Sequence, residues 1–273
     1  MAKMLTGKRH HHAKALLLPM LPMIRPGALH RRRQASDAVV LVRKPMARFR
    51  AVLSDIDGTL TDSEDLHRDA FIKINGDLGV TFTNEELSGG TGVALIDLYD
   101  GLKARFDQPI SYQDWADRLA AYYVLHADQV RILPGARDFL MRADQGGMAI
   151  AAVTNAQPSE AAVNIGQFGD QADLFRFTIT VDDVARPKPA PDSYLEGARR
   201  LGIPPVDIVV LEDSPVGVKA AKAAGMTVIQ IQPDPALIND KADLVVRRLD
   251  DPMVTAYMGL PPDLRSTPPR MTG

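Results

Sequence analysis

The chain of 273 residues contains no cysteine. That removes disulfides, a thiolate nucleophile and Cys-ligated zinc, and it fits a reducing compartment, expected to be the cytoplasm. No apolar run approaches the roughly 20 residues that cross a bilayer. The nearest, Ala15 to Ile24, is broken by Pro19 and Pro22, so no membrane partner is expected. Internal repeats are absent too. Acidic residues are almost missing from the first 50 positions, where 12 Lys and Arg stand against Asp37 alone, a charge of +11. The remainder reverses this, with 20 basic and 33 acidic residues, a charge of −13. A globular body of that sign argues against general nucleic-acid binding.

The basic segment, with His10 to His12, reads either as a peptide directing the protein to an organelle or as a stretch upstream of a start at Met46. Residues 1–45 are therefore expected to be an extension, disordered or non-native. At the other end Pro261 to Gly273 is Pro-rich, and a tail is expected over 251–273.

Between these ends, short apolar runs alternate with helical patterns. Strands are expected at Phe49 to Ser54, Met148 to Val153, Phe177 to Val181, Ile208 to Leu211, Thr227 to Ile231 and Leu244 to Val246. Helices are expected at Ala136 to Asp144, Ser159 to Phe168, Asp192 to Leu201 and Val216 to Ala224, with Gly202 and Gly225 as stops. Near-continuous apolar strands alternating with helices predict an α/β fold, a doubly wound parallel sheet covered on both faces. Residues 63–130 break the rhythm. Leu66, Ala70, Phe71, Ile74 and Leu78 share one helical face, and Trp115, Leu119, Tyr122 and His126 share another. An all-helical insertion is expected there, a lid or specificity element over a core formed by 46–62 and 131–250.

The strongest chemical signal is Asp55-Ile56-Asp57-Gly58-Thr59-Leu60, directly after the first strand. Along extended backbone, residues i and i+2 point to the same face. Two carboxylates so placed repel each other unless a cation or different protonation states separate their roles. Ligands of open parallel sheets sit beyond the carboxyl ends of the strands, and each strand end here delivers a polar group. The second ends in Thr154-Asn155, the third leads to Lys188-Pro189-Ala190-Pro191-Asp192, and the fourth ends in Glu212-Asp213-Ser214. Each has a simpler reading alone: Asp-Gly as a turn, Thr154 as a helix cap, Lys188 as a loop charge, Glu212-Asp213 as a helix-start acid pair. Together they make an oxygen-rich carboxylate site of the kind that suits Mg²⁺ rather than zinc.

This set resembles the haloacid dehalogenase-like phosphohydrolase superfamily over roughly residues 49–247. The matching pieces are Asp55 to Leu60, Thr154-Asn155, Lys188 to Asp192 and Leu211 to Ser214. Asp62 to Phe71 and the insertion resemble the branch with a cap after the first motif, which includes phosphoglycolate phosphatases, β-phosphoglucomutases and the CbbY type. The resemblance implies a Rossmann-like core and phosphoryl transfer from a small-molecule phosphate ester, by a monomer or dimer. Asp55 is then the nucleophile and Asp57 the acid/base. Asp55 and Asp213 would hold Mg²⁺ with the Asp57 carbonyl, and Glu212 would assist. Thr154, Asn155, Lys188 and Gly58 would serve the phosphate, and His67 would be a cap residue near Asp57.

Ser88-Gly89-Gly90-Thr91-Gly92 resembles the cap segment that faces the site in this branch. Bisphosphate-using members carry Lys and Arg in or just after that segment. Here Val93, Ala94 and Leu95 follow, and the first cation downstream is Lys103. A phosphatase acting through an aspartyl-phosphate on a singly phosphorylated small metabolite, a sugar phosphate or a phosphoglycolate-like ester, is expected, with a β-phosphoglucomutase-like isomerase and a non-catalytic phosphate-binding protein as alternatives.

Overall fold

A computed structural model of the protein describes residues 49–83, 86–87 and 95–261. The basic extension and the Ser88 to Gly92 segment lie outside the described residues. The core is a six-stranded, all-parallel sheet of β1 (Ala51–Ser54), β4 (Ala149–Val153), β5 (Phe175–Ile179), β6 (Ile208–Glu212), β7 (Thr227–Ile231) and β8 (Leu244–Val246). Their spatial order is β5-β4-β1-β6-β7-β8. The sheet therefore reverses its winding at β1, which puts that strand's carboxyl end at the crevice where such sheets bind ligands.

Alternation along each strand feeds two separate apolar layers. Val52, Ile150, Val209 and Ile229 pack on one side, and Leu53, Ala151, Val210 and Val228 on the other. Helix α4 (Ala136–Gln145) leads into β4, and α5 (Pro158–Gly166), α6 (Asp192–Leu201) and α7 (Pro215–Ala223) follow β4, β5 and β6. Helix α6 closes on Gly202, at φ 64°, a left-handed stop that costs glycine little. The third of the expected strands is displaced. It occupies Phe175–Ile179 rather than Phe177 to Val181, because Thr180 leaves the ladder to exchange hydrogen bonds with Asp183.

The insertion holds α1 (Glu64–Asp77), α2 (Leu95–Leu102) and α3 (Tyr112–Leu125) around Trp115, Leu119, Ala70 and Leu78. Ser111 starts α3 by accepting from the Asp114 amide. On α3 it is Tyr123, not Tyr122, that is fully buried, and His126 lies just beyond the helix. The chain enters and leaves the insertion side by side, through the antiparallel pair β2 (Thr61–Asp62) and β3 (Arg131–Ile132).

A boundary at 250 does not hold for the core. Helix α8 (Pro252–Met258), capped by Asp251, buries Val254 and Met258 in the same apolar layer as Val52, and Leu260 joins them. Burial of three aliphatic side chains outweighs what a surface tail would gain from freedom. No helix among the described residues is long and apolar enough to cross a membrane.

Candidate active site

The β1 ladder continues one residue past the strand, with the Asp55 amide donating to the Leu211 carbonyl at 2.9 Å. This aims Asp55 at the sheet edge. Ile56 then turns into the core, leaving the carboxylates on either side of it together at the surface of the crevice. Gly58 makes the tight turn that follows, at φ 76°, with its amide on the Thr61 carbonyl at 2.8 Å. A Cβ at Gly58 would overlap the Asp213 carboxylate, so this position needs glycine for both its backbone and its neighbour.

Lys188 is buried among acceptors. Its ammonium donates to Asp55 Oδ1 at 2.6 Å, Glu212 Oε1 at 2.7 Å and the Val153 carbonyl at 2.9 Å. All three of its donors are used. Burial opposes its charge, but Asp55 and Glu212 outweigh burial and hold the ammonium above its ordinary range. Glu212, with no exposed surface, also accepts from the Tyr194 hydroxyl at 2.6 Å and the Ser214 hydroxyl at 2.9 Å. Asn155 uses both ends of its amide on the Lys188 backbone, at 3.0 and 3.1 Å. Asn155 thereby holds the lysine loop.

Asp57 stands in a different environment. Its Oδ1 accepts from Ser63 Oγ at 2.6 Å and Asn164 Nδ2 at 2.8 Å, and lies 3.2 Å from His67 Nε2. Thr154 Oγ1 donates to Oδ2 at 3.3 Å. Burial would raise this carboxyl, but the hydrogen bond and charge of His67, with Ser63 and Asn164, bring it down to about 2. His67 is raised in turn, because Asp57, Glu160 and Glu64 outweigh its burial. Asp55 moves the opposite way. Desolvation, opposed by Lys188 but assisted by Glu212 and Asp57, pushes it up to about 8. Two carboxylates two residues apart thus have their protonation pushed apart, the pattern of paired groups with separate chemical roles.

The donor set fits a hard divalent cation. Carboxylate oxygens of Asp55, Glu212 and Asp213 lie within 4.8 Å of one another. Lys188 supplies a single positive charge to these three acids. Asp213 is raised well above its usual range by burial and by Asp55 and Glu212, and among the described residues no donor reaches its carboxylate. Oxygen ligands with excess negative charge suit Mg²⁺. The side chains of Asp55 and Asp213 would hold the ion. Glu212, already engaged by Lys188, Tyr194 and Ser214, contributes its charge.

A pH dependence follows. A carboxyl raised from 3.8 to about 8 binds more protons in the folded chain than in the unfolded one across that window. It therefore removes stability as pH rises through it. The metal-free protein is expected to lose thermal stability from pH 5 toward about 8, and saturating Mg²⁺ is expected to cancel the loss. Melting curves with EDTA and with Mg²⁺ measure this, and parallel pH profiles would contradict it.

The expected residues Asp55, Asp57, Thr154, Lys188, Glu212, Asp213, Gly58 and His67 all meet at this edge. Sequence reasoning missed Ser63, Asn164, Tyr123 and Tyr194. Asn164 carried a faint signal, as a polar residue one turn after Ala161 on the buried face of a short helix.

A doubly wound sheet with a helical cap seated over a carboxylate pair, a buried lysine and a third acid defines a phosphoryl-transfer hydrolase. The chain belongs to the haloacid dehalogenase-like hydrolase family, whose model matches residues 49–225. Hexitol phosphatase B of Escherichia coli is 31% identical over 194 residues, 70% of this chain and 86% of that one. A bifunctional riboflavin kinase/FMN phosphatase of Arabidopsis thaliana is 28% identical over 213 residues, 77% of this chain. The chain spans only 56% of that relative's length. The crystal structure of CbbY from Rhodobacter sphaeroides with phosphate superimposes with a TM-score of 0.67 at 28% identity, covering 74% of this chain and 96% of that one. The protein is thus a phosphoric monoester hydrolase of the CbbY-like kind.

Proposed function

We propose that the protein is a Mg²⁺-dependent phosphatase of small sugar or polyol monophosphates, working through an aspartyl-phosphate. The observation that carries this reading is the division of labour between Asp55, paired with Lys188 beside the metal-binding acids, and Asp57, held by hydrogen bonds under the cap. Asp55 attacks phosphorus, an oxygen–phosphorus bond forms and the ester bond breaks. Asp57 passes a proton to the leaving alkoxide, and His67, 3.2 Å away, supplies it. Water then attacks the phosphoaspartate and gives its proton to Asp57, and the Asp55–phosphorus bond breaks to release phosphate. When bound, Mg²⁺ offsets the negative charge that otherwise keeps a carboxylate from a phosphate dianion. Lys188 keeps Asp55 oriented and adds positive charge beside the transferred group.

The substrate class rests on charge. Glu64 of α1 and Glu160 of α5 lie close enough to His67 for their charge to raise it. Residues 84–94 contain no Lys or Arg, and Gln157 and Pro158 open α5. A second phosphate would meet acids there, whereas sugar hydroxyls would find acceptors. The same shortage of cations disfavours a mutase, whose sugar must present either of two phosphates.

Phosphate release from paired mono- and bisphosphorylated sugars, with Mg²⁺ and with EDTA, tests the reading. Metal-dependent release with kcat/KM favouring monophosphates is expected. A preference for bisphosphates, or conversion of glucose 1-phosphate to the 6-phosphate without release, would overturn it.

A further inference from the structure

Tyr123 and Asn164 belong to different parts of the molecule, the first to cap helix α3 and the second to core helix α5. Both are fully buried. The Tyr123 hydroxyl donates to Asn164 Oδ1 at 2.6 Å, and Asn164 Nδ2 donates to Asp57 Oδ1 at 2.8 Å. A side-chain amide has one accepting end and one donating end. With Tyr123 on the accepting end, the donating end must face Asp57. The Tyr123 ring also packs against His67, with ring centroids 4.5 Å apart. One cap side chain thus bears on two of the three groups at Asp57 Oδ1. For packing alone this geometry is wasteful, because buried hydroxyl and amide groups cost free energy unless paired, and an apolar pair would fill the space without that demand.

We infer that Tyr123 and Asn164 are positioning residues that transmit the seated cap to the acid/base carboxylate. With the cap seated, the hydroxyl fixes the amide and the amide aims Asp57. When the cap lifts, the hydroxyl is withdrawn, the amide is free to turn over, and Asp57 loses its aim until the cap returns. Proton transfer is thereby confined to the closed site, where water is excluded. The inference rests on the reading of Asp57 as acid/base.

The test compares leaving groups. An alkyl phosphate needs a proton at its departing oxygen, whereas p-nitrophenolate leaves without one. kcat/KM reports the steps through the first phosphoryl transfer. Tyr123→Phe keeps the ring and its packing on His67 but removes the donor. It is expected to lower kcat/KM for an alkyl phosphate at least about tenfold, a share of the 10²- to 10⁴-fold that a general acid supplies. For p-nitrophenyl phosphate it is expected to change kcat/KM less than about twofold. Asn164→Ala is expected to show the same split, and it provides the test should Tyr123→Phe not fold. Equal losses on both esters, or no loss on either, would overturn the inference. Asp57→Asn, measured beside them, separates the two levels. If that variant shows no split, the acid reading itself fails; if it shows one and Tyr123→Phe and Asn164→Ala do not, only the positioning role fails.

Discussion

Asp55→Asn is expected to abolish turnover, by about 10⁴-fold or more, while leaving the fold intact. The amide keeps the size of the carboxylate and an oxygen for the Lys188 ammonium, now 2.6 Å from Asp55 Oδ1. What it removes is the nucleophile and one arm of the metal site. Stability should not fall with activity. Burial and the neighbouring acids hold Asp55 up to about 8, so near neutral pH the metal-free fold already bears the cost of keeping this group neutral or forcing its charge. A neutral amide escapes that cost. The metal-free variant should melt at the wild-type temperature or above it, and the rise in melting temperature with Mg²⁺ should shrink. Phosphate release together with melting curves measures both effects. Substantial turnover would remove Asp55 from the mechanism, and loss of the folded state would show that its role is structural.

Lys188→Met is expected to be the most damaging single change to stability. Lys188 bridges Asp55 and Glu212 in a buried triad. Methionine fills much of the space of the lysine stem but leaves two buried acids facing each other. Removing one partner of a buried ion pair costs about 3–5 kcal/mol. The loss should depend on pH with a definite sign. Burial and the neighbouring acids already raise Asp55 to about 8 with the lysine present, so without Lys188 it resists ionisation still more, and the repulsion appears only as rising pH forces its charge. The variant should therefore recover part of its deficit in urea unfolding as pH falls from above about 8 toward 7. Mg²⁺ should also restore some stability, because it supplies charge at the same place. A deficit independent of pH and metal would mean that the lysine stabilises by packing rather than by charge.

The contrast between these two predictions reflects what the sequence can and cannot disclose. Asp55, Asp57, Lys188 and Asp213 were legible because each follows a strand, and parallel-sheet topology brings strand ends to one edge regardless of side-chain detail. The sheet was legible for the same reason, since runs such as Ile208 to Leu211 and Thr227 to Ile231 are apolar on both faces. The pair β2–β3 was not, because two residues a side carry no periodicity and are defined only by pairing across the whole insertion. Helix α8 was hidden by the proline-rich stretch after it, which suggests a tail although Val254 and Met258 fill the core. Tyr123 and Asn164 were least visible of all. Their importance lies in a contact between residues 41 positions apart, and each has an ordinary explanation in its own helix. Asn155 adds a contact that its motif does not disclose, since both ends of its amide bond to the Lys188 backbone.

Trapping the covalent intermediate tests the account most directly. In Asp57→Asn, p-nitrophenyl phosphate still supplies a leaving group that needs no acid, but the water that must cleave the phosphoaspartate lacks its base. Acid quench, digestion and mass spectrometry should find a phosphoryl group accumulating on the peptide that carries Asp55, only when Mg²⁺ is present. A phosphoryl group on any other side chain would contradict the account, as would continued release of p-nitrophenolate with no covalent phosphate at any quench time.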